Sequence, residues 1–276
     1  LGSEALAAGA LTRGQLRWNY DNLLPDVYLA KGAPHDLTTR TRAAWLWTGR
    51  RGIVAGQAAT ALYTRKPIDK DAPVELIAAP RRPRDGVVIR TERIADDEIR
   101  TRDGMRMTSP ARTALDLARF VPRLDAIGHL DRLADATDVW PEDVAPLALR
   151  YRGARGITGA MGLVRRMDAG AVTPQESRLR LRLRGGGVPA PETNIILGEW
   201  PSAVRISMGW RKFRVGVHVP DEPAPTLMVR EAKEAERRAM HGWLILTAVP
   251  GRDENGFVHA VRQTLWEQVR RARKPG

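Results

Sequence analysis

The chain has 276 residues, 43% of them hydrophobic and eight of them Trp, which suits two domains, or two and a connector, better than one globular core. A net charge of +13 attracts phosphate polyanions and makes nucleic acid the first partner to consider, although Arg-rich composition also follows from a GC-rich genome. The absence of Cys excludes disulfides, thiolate zinc sites and cysteine nucleophiles. With no apolar run near the ~18 residues of a membrane span and no signal peptide at the start, a cytoplasmic, non-membrane protein is expected.

In chain order, residues 3–10 read as a short Ala-rich helix with Ser3 as N-cap. Thr12 and Gln15 have capping-box spacing and Leu11 and Leu16 that of a hydrophobic staple, placing a second helix from Arg13 to about Tyr20. Asp21-Asn22 is turn chemistry, and 23–30 reads as an extended segment broken by Pro25. Helix, turn, helix and hairpin outline a winged helix-turn-helix over 1–35, in which Arg13, Gln15, Arg17 and Asn19 are the polar residues of the DNA-reading helix. The plainer alternative is a helical pair packed on the next domain.

Residues 36–122 read as a mixed α/β region. Helices are expected at 36–49 and 53–63, strands at 73–79, 86–94 and 98–107, and a helix beginning at Ser109-Pro110 with Ala111, Ala114, Leu115 and Ala118 on its apolar face. Arg81, Arg82 and Arg84 sit in the loop between the first two strands, as a phosphate contact or simply solvated. Residues 123–170 read as a helical connector of three helices, 123–136, 141–150 and about 156–168. Gly153, Gly156, Gly159 and Gly162 recur there without the strand and Lys-Ser/Thr of a phosphate loop.

Residues 171–276 read as a compact α/β domain, so the fold class is α/β (α+β overall). The run 178–184 alternates Arg and Leu, which by period alone predicts a strand. Its flanks overrule that: Thr173-Pro174-Gln175-Glu176 supplies a capping box and Gly185-Gly186-Gly187 the stop. Extended runs at 193–198, 203–208 and 213–219 follow, then a charged helix at 228–241, a strand at 243–249 and a helix at 254–272 ending in Arg270, Arg271, Arg273 and Lys274. Charge follows this division. Residues 11–113 carry 19 Lys/Arg against 12 Asp/Glu, 114–170 carry 8 against 8, and 171–276 carry 18 against 11, suggesting two contacting modules around a neutral middle.

Several motifs together resemble a known family. Thr173-Pro174-Gln175-Glu176-Ser177-Arg178-Leu179, Pro189-Ala190-Pro191-Glu192-Thr193, Ile206-Ser207-Met208-Gly209-Trp210, Val215-Gly216-Val217 and His241-Gly242-Trp243 resemble actinobacterial proteins with a very-short-patch-repair-like endonuclease domain. Leu11-Thr12-Arg13, Pro25-Asp26-Val27-Tyr28, Val54-Ala55-Gly56 and 108–114 are similar to the AbiEi-type antitoxin region of those proteins. The resemblance implies a PD-(D/E)xK restriction-endonuclease fold at 171–276.

It also exposes departures. Ser207 stands where the active family has a strand Asp, and His218-Val219-Pro220-Asp221 matches a strand end of Glu-Tyr-Asp-Gly. A following His of the family has no counterpart in 222–225. Mg²⁺-dependent phosphodiester hydrolysis needs converging carboxylates, which a hydroxyl and an imidazole do not replace. Glu176 matches a helical Glu of the family, though its cap role already explains it, and Glu231 matches an acidic residue on the next helix.

The five His show no zinc-hydrolase spacing, and Trp45, Trp47, Trp140, Trp210, Trp243 and Trp266 read as core packing. The leading expectation is a DNA-binding regulator or antitoxin-like protein, without enzyme activity, metal or other cofactor. In it Arg13, Gln15 and Arg17 face bases, and Arg180, Arg182 and Arg184 contact phosphates. The alternatives are an active Mg²⁺-dependent endonuclease and a scaffold that binds a cognate toxin.

Overall fold

The computed structural model describes residues 1–64, 68–199, 201, 203–220, 242–248 and 253–273. The helix expected at 228–241, with Glu231, and the residues Asp221 and His241 lie outside these. The fold is α/β, and the chain divides into two compact units, one of residues 1–121 and 132–165, the other of 122–131 and 166–276. The expected boundary at 35 is absent from this division, and the expected connector 123–170 is shared between the units.

The first unit opens with α1 (Gly2–Ala7), α2 (Arg13–Asn19) and an antiparallel hairpin, β1 (Tyr20–Leu24) with β2 (Val27–Ala30). Ser3 does not cap α1. Its backbone N–H donates to Asp26 Oδ1 at 2.7 Å and its hydroxyl to Oδ2, so it ties the helix to the hairpin turn. α3 (Leu37–Trp47) starts at Asp36, whose carboxylate accepts from Thr39 N at 2.8 Å.

The helix expected at 53–63 is a strand and a helix, β3 (Ile53–Ala55) and α4 (Gly56–Tyr63). Burial decides it. Val54 and Ala55 are fully covered between flanking strands, while Gly56 turns the chain at φ +56, where a Cβ would fall 2.0 Å from Glu75 Oε1.

β4 (Val74–Ile77) and β5 (Val87–Arg90) follow, then β6 (Ile99–Arg102) and β7 (Met105–Thr108). The strand expected at 98–107 is therefore a hairpin, reversed at Asp103-Gly104 with both residues at positive φ. The sheet order is β5-β4-β3-β7-β6, with the β3–β7 and β4–β5 pairs parallel. α5 (Pro110–Phe120) begins as expected, with Ser109 as cap and Pro110 in the first turn. α6 (Arg123–Thr137) leads to α7 (Pro141–Arg150) and α8 (Ile157–Val164), both of which pack on α5.

In the second unit α9 (Pro174–Gly185) confirms the helix read from its flanks, with Leu179, Leu181 and Leu183 buried. β8 (Glu192–Leu197), β9 (Val204–Trp210), β10 (Val215–His218) and β11 (Leu244–Thr247) form a sheet in the order β11-β10-β9-β8. Its β10–β11 pair is parallel and the others antiparallel. Leu179 and Leu183 of α9 join Val261 and Leu265 of α10 (Glu254–Arg273) over Met208, Val215 and Val217 of the sheet. Of the Trp residues read as core, Trp45 and Trp210 are buried, but Trp140 and Trp266 are 61% and 63% exposed.

Candidate nucleic-acid interface

α2 carries no carboxylate, and Leu16 is its buried residue. Arg13, Arg17, Trp18 and Asn19 are exposed, with Trp18 at 72% and the Arg17 guanidinium 6.0 Å from its ring. Neither Arg13 nor Arg17 has an ion pair among the described residues. Gln15 is exposed too, but its carbonyl accepts from Thr12 N at 2.8 Å and from the Thr12 hydroxyl at 3.1 Å. Its carbonyl is thus engaged at the helix start, while its side chain remains exposed. The hairpin is fixed to α2 through Lys31 N, which donates to Asn19 O at 2.9 Å. α1 is tied to the turn after α3, where Glu4 pairs with Arg50 through two bonds of 2.6 and 2.8 Å. A short cationic helix is thereby tied to the hairpin, its outward arginines without carboxylate partners among the described residues.

The same unit holds a buried ionic network absent from the sequence reading. Arg112 is fully buried and donates to Asp116 (2.9 Å), Glu98 (2.7 Å), Glu92 (2.5 Å) and the Tyr151 hydroxyl (2.8 Å). Burial works to lower its pKa, but the Asp116 and Glu98 carboxylates more than offset this and raise it. Burial and the Glu98 carboxylate push the Tyr151 hydroxyl up to about 12. Arg90 adds a second bond to Asp116 at 2.9 Å, and Arg150 reaches Glu98 at 2.6 Å and Asp97 at 2.8 Å. Each of these carboxylates faces a guanidinium, so the cluster locks α5 to strands and α7 rather than offering a free base. The Arg112–Asp116 spacing of four residues on a helix was the one sequence signal available.

In the second unit Glu176 is fully buried, and its two oxygens accept from Arg205 Nη2 at 2.7 and 2.8 Å. Oε2 also accepts from Val172 N at 2.8 Å. The expected capping box is thus only half formed. Thr173 accepts from Glu176 N at 3.2 Å, but the Glu176 carboxylate serves Val172 and Arg205 rather than the cap residue.

Two residues along β9, Ser207 is fully buried and accepts from Val219 N at 3.0 Å. The register that sets Val217 opposite Met208 brings Ser207 beside the His218 end of β10. The residue that meets Glu176 is Arg205, which sequence reasoning missed and which brings a positive charge to that carboxylate. Among the described residues, no three His, Asp or Glu side chains group as metal ligands.

The three arginines expected to contact phosphate part company. Arg180 is buried at 3% exposure, with Nη2 donating to both oxygens of Asp131 (2.9 and 2.8 Å) and Nη1 to Arg166 O (2.7 Å). It is a structural residue, and its assignment to DNA is corrected. Burial pushes the Asp131 carboxyl up to about 6, against the pull of Arg180. Arg182 pairs with Glu254 at 2.5 Å, tying α9 to α10. Arg184 is exposed and has no ion pair among the described residues.

Residues 37–166 match the family model of the AbiEi antitoxin C-terminal domain. Over 218 residues the chain is 24% identical to uncharacterized proteins from two strains of Mycobacterium tuberculosis, covering 78% of this chain and 80% of each relative. No solved structure matches the chain.

Proposed function

We propose that this protein is an antitoxin-like, DNA-binding regulator that reads duplex DNA with the exposed face of α2 and cleaves nothing. The observation that carries it is the carboxylate-free face of Arg13, Arg17, Trp18 and Asn19 on a helix tied to the β1–β2 hairpin. Helix, turn, helix and hairpin are the parts of a winged helix-turn-helix, in which side chains of the second helix reach base edges in the major groove. The antitoxin-domain match begins at residue 37, directly after these elements. A toxin protein is the companion partner that such a domain implies.

The second unit, on this reading, keeps a nuclease-like fold as a docking body. The Glu176 carboxylate is bound to Arg205, and Ser207 offers a hydroxyl already hydrogen-bonded to Val219 N. Neither is a ligand set for Mg²⁺.

Selection from randomised duplexes, followed by binding curves across salt, tests the reading. Arg13→Ala/Arg17→Ala should weaken the selected duplex by at least about tenfold, since good base contacts are each worth ~1–3 kcal/mol. Equal affinity for wild type and variant would contradict it. Plasmid incubated with Mg²⁺ should stay un-nicked, and nicking that Glu176→Ala abolishes would instead establish the endonuclease.

A further inference from the structure

The outward face of α10 carries a basic–aromatic stripe. Arg262, Trp266 and Arg270 follow at four-residue spacing, so they line one side of the helix, with His259 on the same side. Trp266 is 63% exposed, and Val261 and Leu265, on the opposite side, are buried in the core of the second unit. Arg262 Nη2 lies 3.1 Å from His259 Nδ1, and neither arginine has a carboxylate partner among the described residues. α10 is 20 residues long and anchored through Leu265 and the Arg182–Glu254 pair, so the stripe stands on a rigid element.

We propose that this stripe binds single-stranded nucleic acid. An indole with an open face accepts an unpaired base by stacking, while a guanidinium on either side neutralises neighbouring phosphates. A duplex is a poorer fit, because its stacked bases have no free face to offer. The stripe is also narrow, one aromatic wide, as a single strand is. The proposal is independent of the duplex reading assigned to α2.

The test is fluorescence anisotropy of a labelled twelve-residue oligothymidylate with the full chain across salt. Wild type should bind at low salt. Trp266→Ala should bind about tenfold more weakly and Trp266→Phe should retain most of the affinity, since stacking survives. Arg262→Ala/Arg270→Ala should reduce the salt slope by about 1.4, the value for two phosphates no longer neutralised on a single strand, and the charge-matched Arg152→Ala/Arg155→Ala should leave it unchanged. Arg13→Ala/Arg17→Ala should leave oligothymidylate binding intact.

No oligonucleotide bound by wild type, or equal binding by the α10 variants and wild type, would overturn the proposal. So would loss of the oligonucleotide in the α2 variant, or an equal effect of the α10 variants on a duplex of the same length. A change of molecular mass in light scattering on Trp266→Ala, without oligonucleotide, would assign the face to a second copy of the chain instead.

Discussion

At the scale of single residues, the chain hides its structural charges among its solvated ones. Arg178, Arg180, Arg182 and Arg184 look equivalent along one helix, yet Arg180 turns inward to Asp131 and Arg166 O while Arg184 stays in solvent. Removing one partner of a buried pair strands the other, so Arg180→Ala should cost about 3–5 kcal/mol in urea denaturation. DNA affinity should not move in Arg180→Ala at temperatures where the variant is folded. A stable variant with weakened DNA binding would restore Arg180 to the interface.

Glu176 follows the same logic: Glu176→Gln should destabilise by removing the charge opposite Arg205, without changing any nicking of plasmid. These partners were not legible in the sequence, because Asp131 and Arg205 are 49 and 29 residues from the residues they neutralise. What was legible was local: the helix start at Thr173-Pro174 and the stop at the glycines after it.

At the scale of elements, termini were read well and interiors less so. Thr12, Ser109 and Thr173 cap the helices their sequences announce, Ser3 does not, and Asp36, read only as the first residue of a helix, is the cap of α3. Asp36→Ala should therefore cost about 1 kcal/mol, while Asp36→Asn should keep most of the cap. The Thr39 N–H bond holds the Asp36 carboxyl below its usual range. Its folded pKa is depressed, so its contribution is present above the unfolded value of about 3.9 and is lost as pH falls through the folded one. Stability measured between about pH 5 and pH 2 should show a shallower fall for Asp36→Asn, and an unaltered curve would remove Asp36 as a titrating cap.

Residues 53–63, like the hairpin at 98–107, were misread. The small apolar residues of 53–63 suit a helix, but Ile53–Ala55 are drawn into the sheet by β4 and β7, and only the closeness of Gly56 to Glu75 shows why the chain turns there. Trp266 was misread for a related reason. A hydrophobic type in a helical run suggests core, while the register set by Val261 and Leu265 turns it outward.

At the scale of the molecule, the chain forms two compact units and passes from one to the other more than once. The first unit buries its acidic residues Glu98 and Asp116 against Arg112, while Arg13 and Arg17 on α2 have no ion pair among the described residues. Residues 37–166, which match the AbiEi antitoxin C-terminal domain model, follow α2 and its hairpin in the chain.

The central claim is that α2 is the duplex reader, and its most direct measurement is the salt dependence of duplex binding by wild type and Arg13→Ala/Arg17→Ala. For wild type log K should fall steeply and linearly with log salt, and for the variant the fall should be shallower with the sequence preference gone. Each duplex phosphate that the variant no longer neutralises should lower the slope by about 0.9. Identical slopes and an unchanged sequence preference would contradict it.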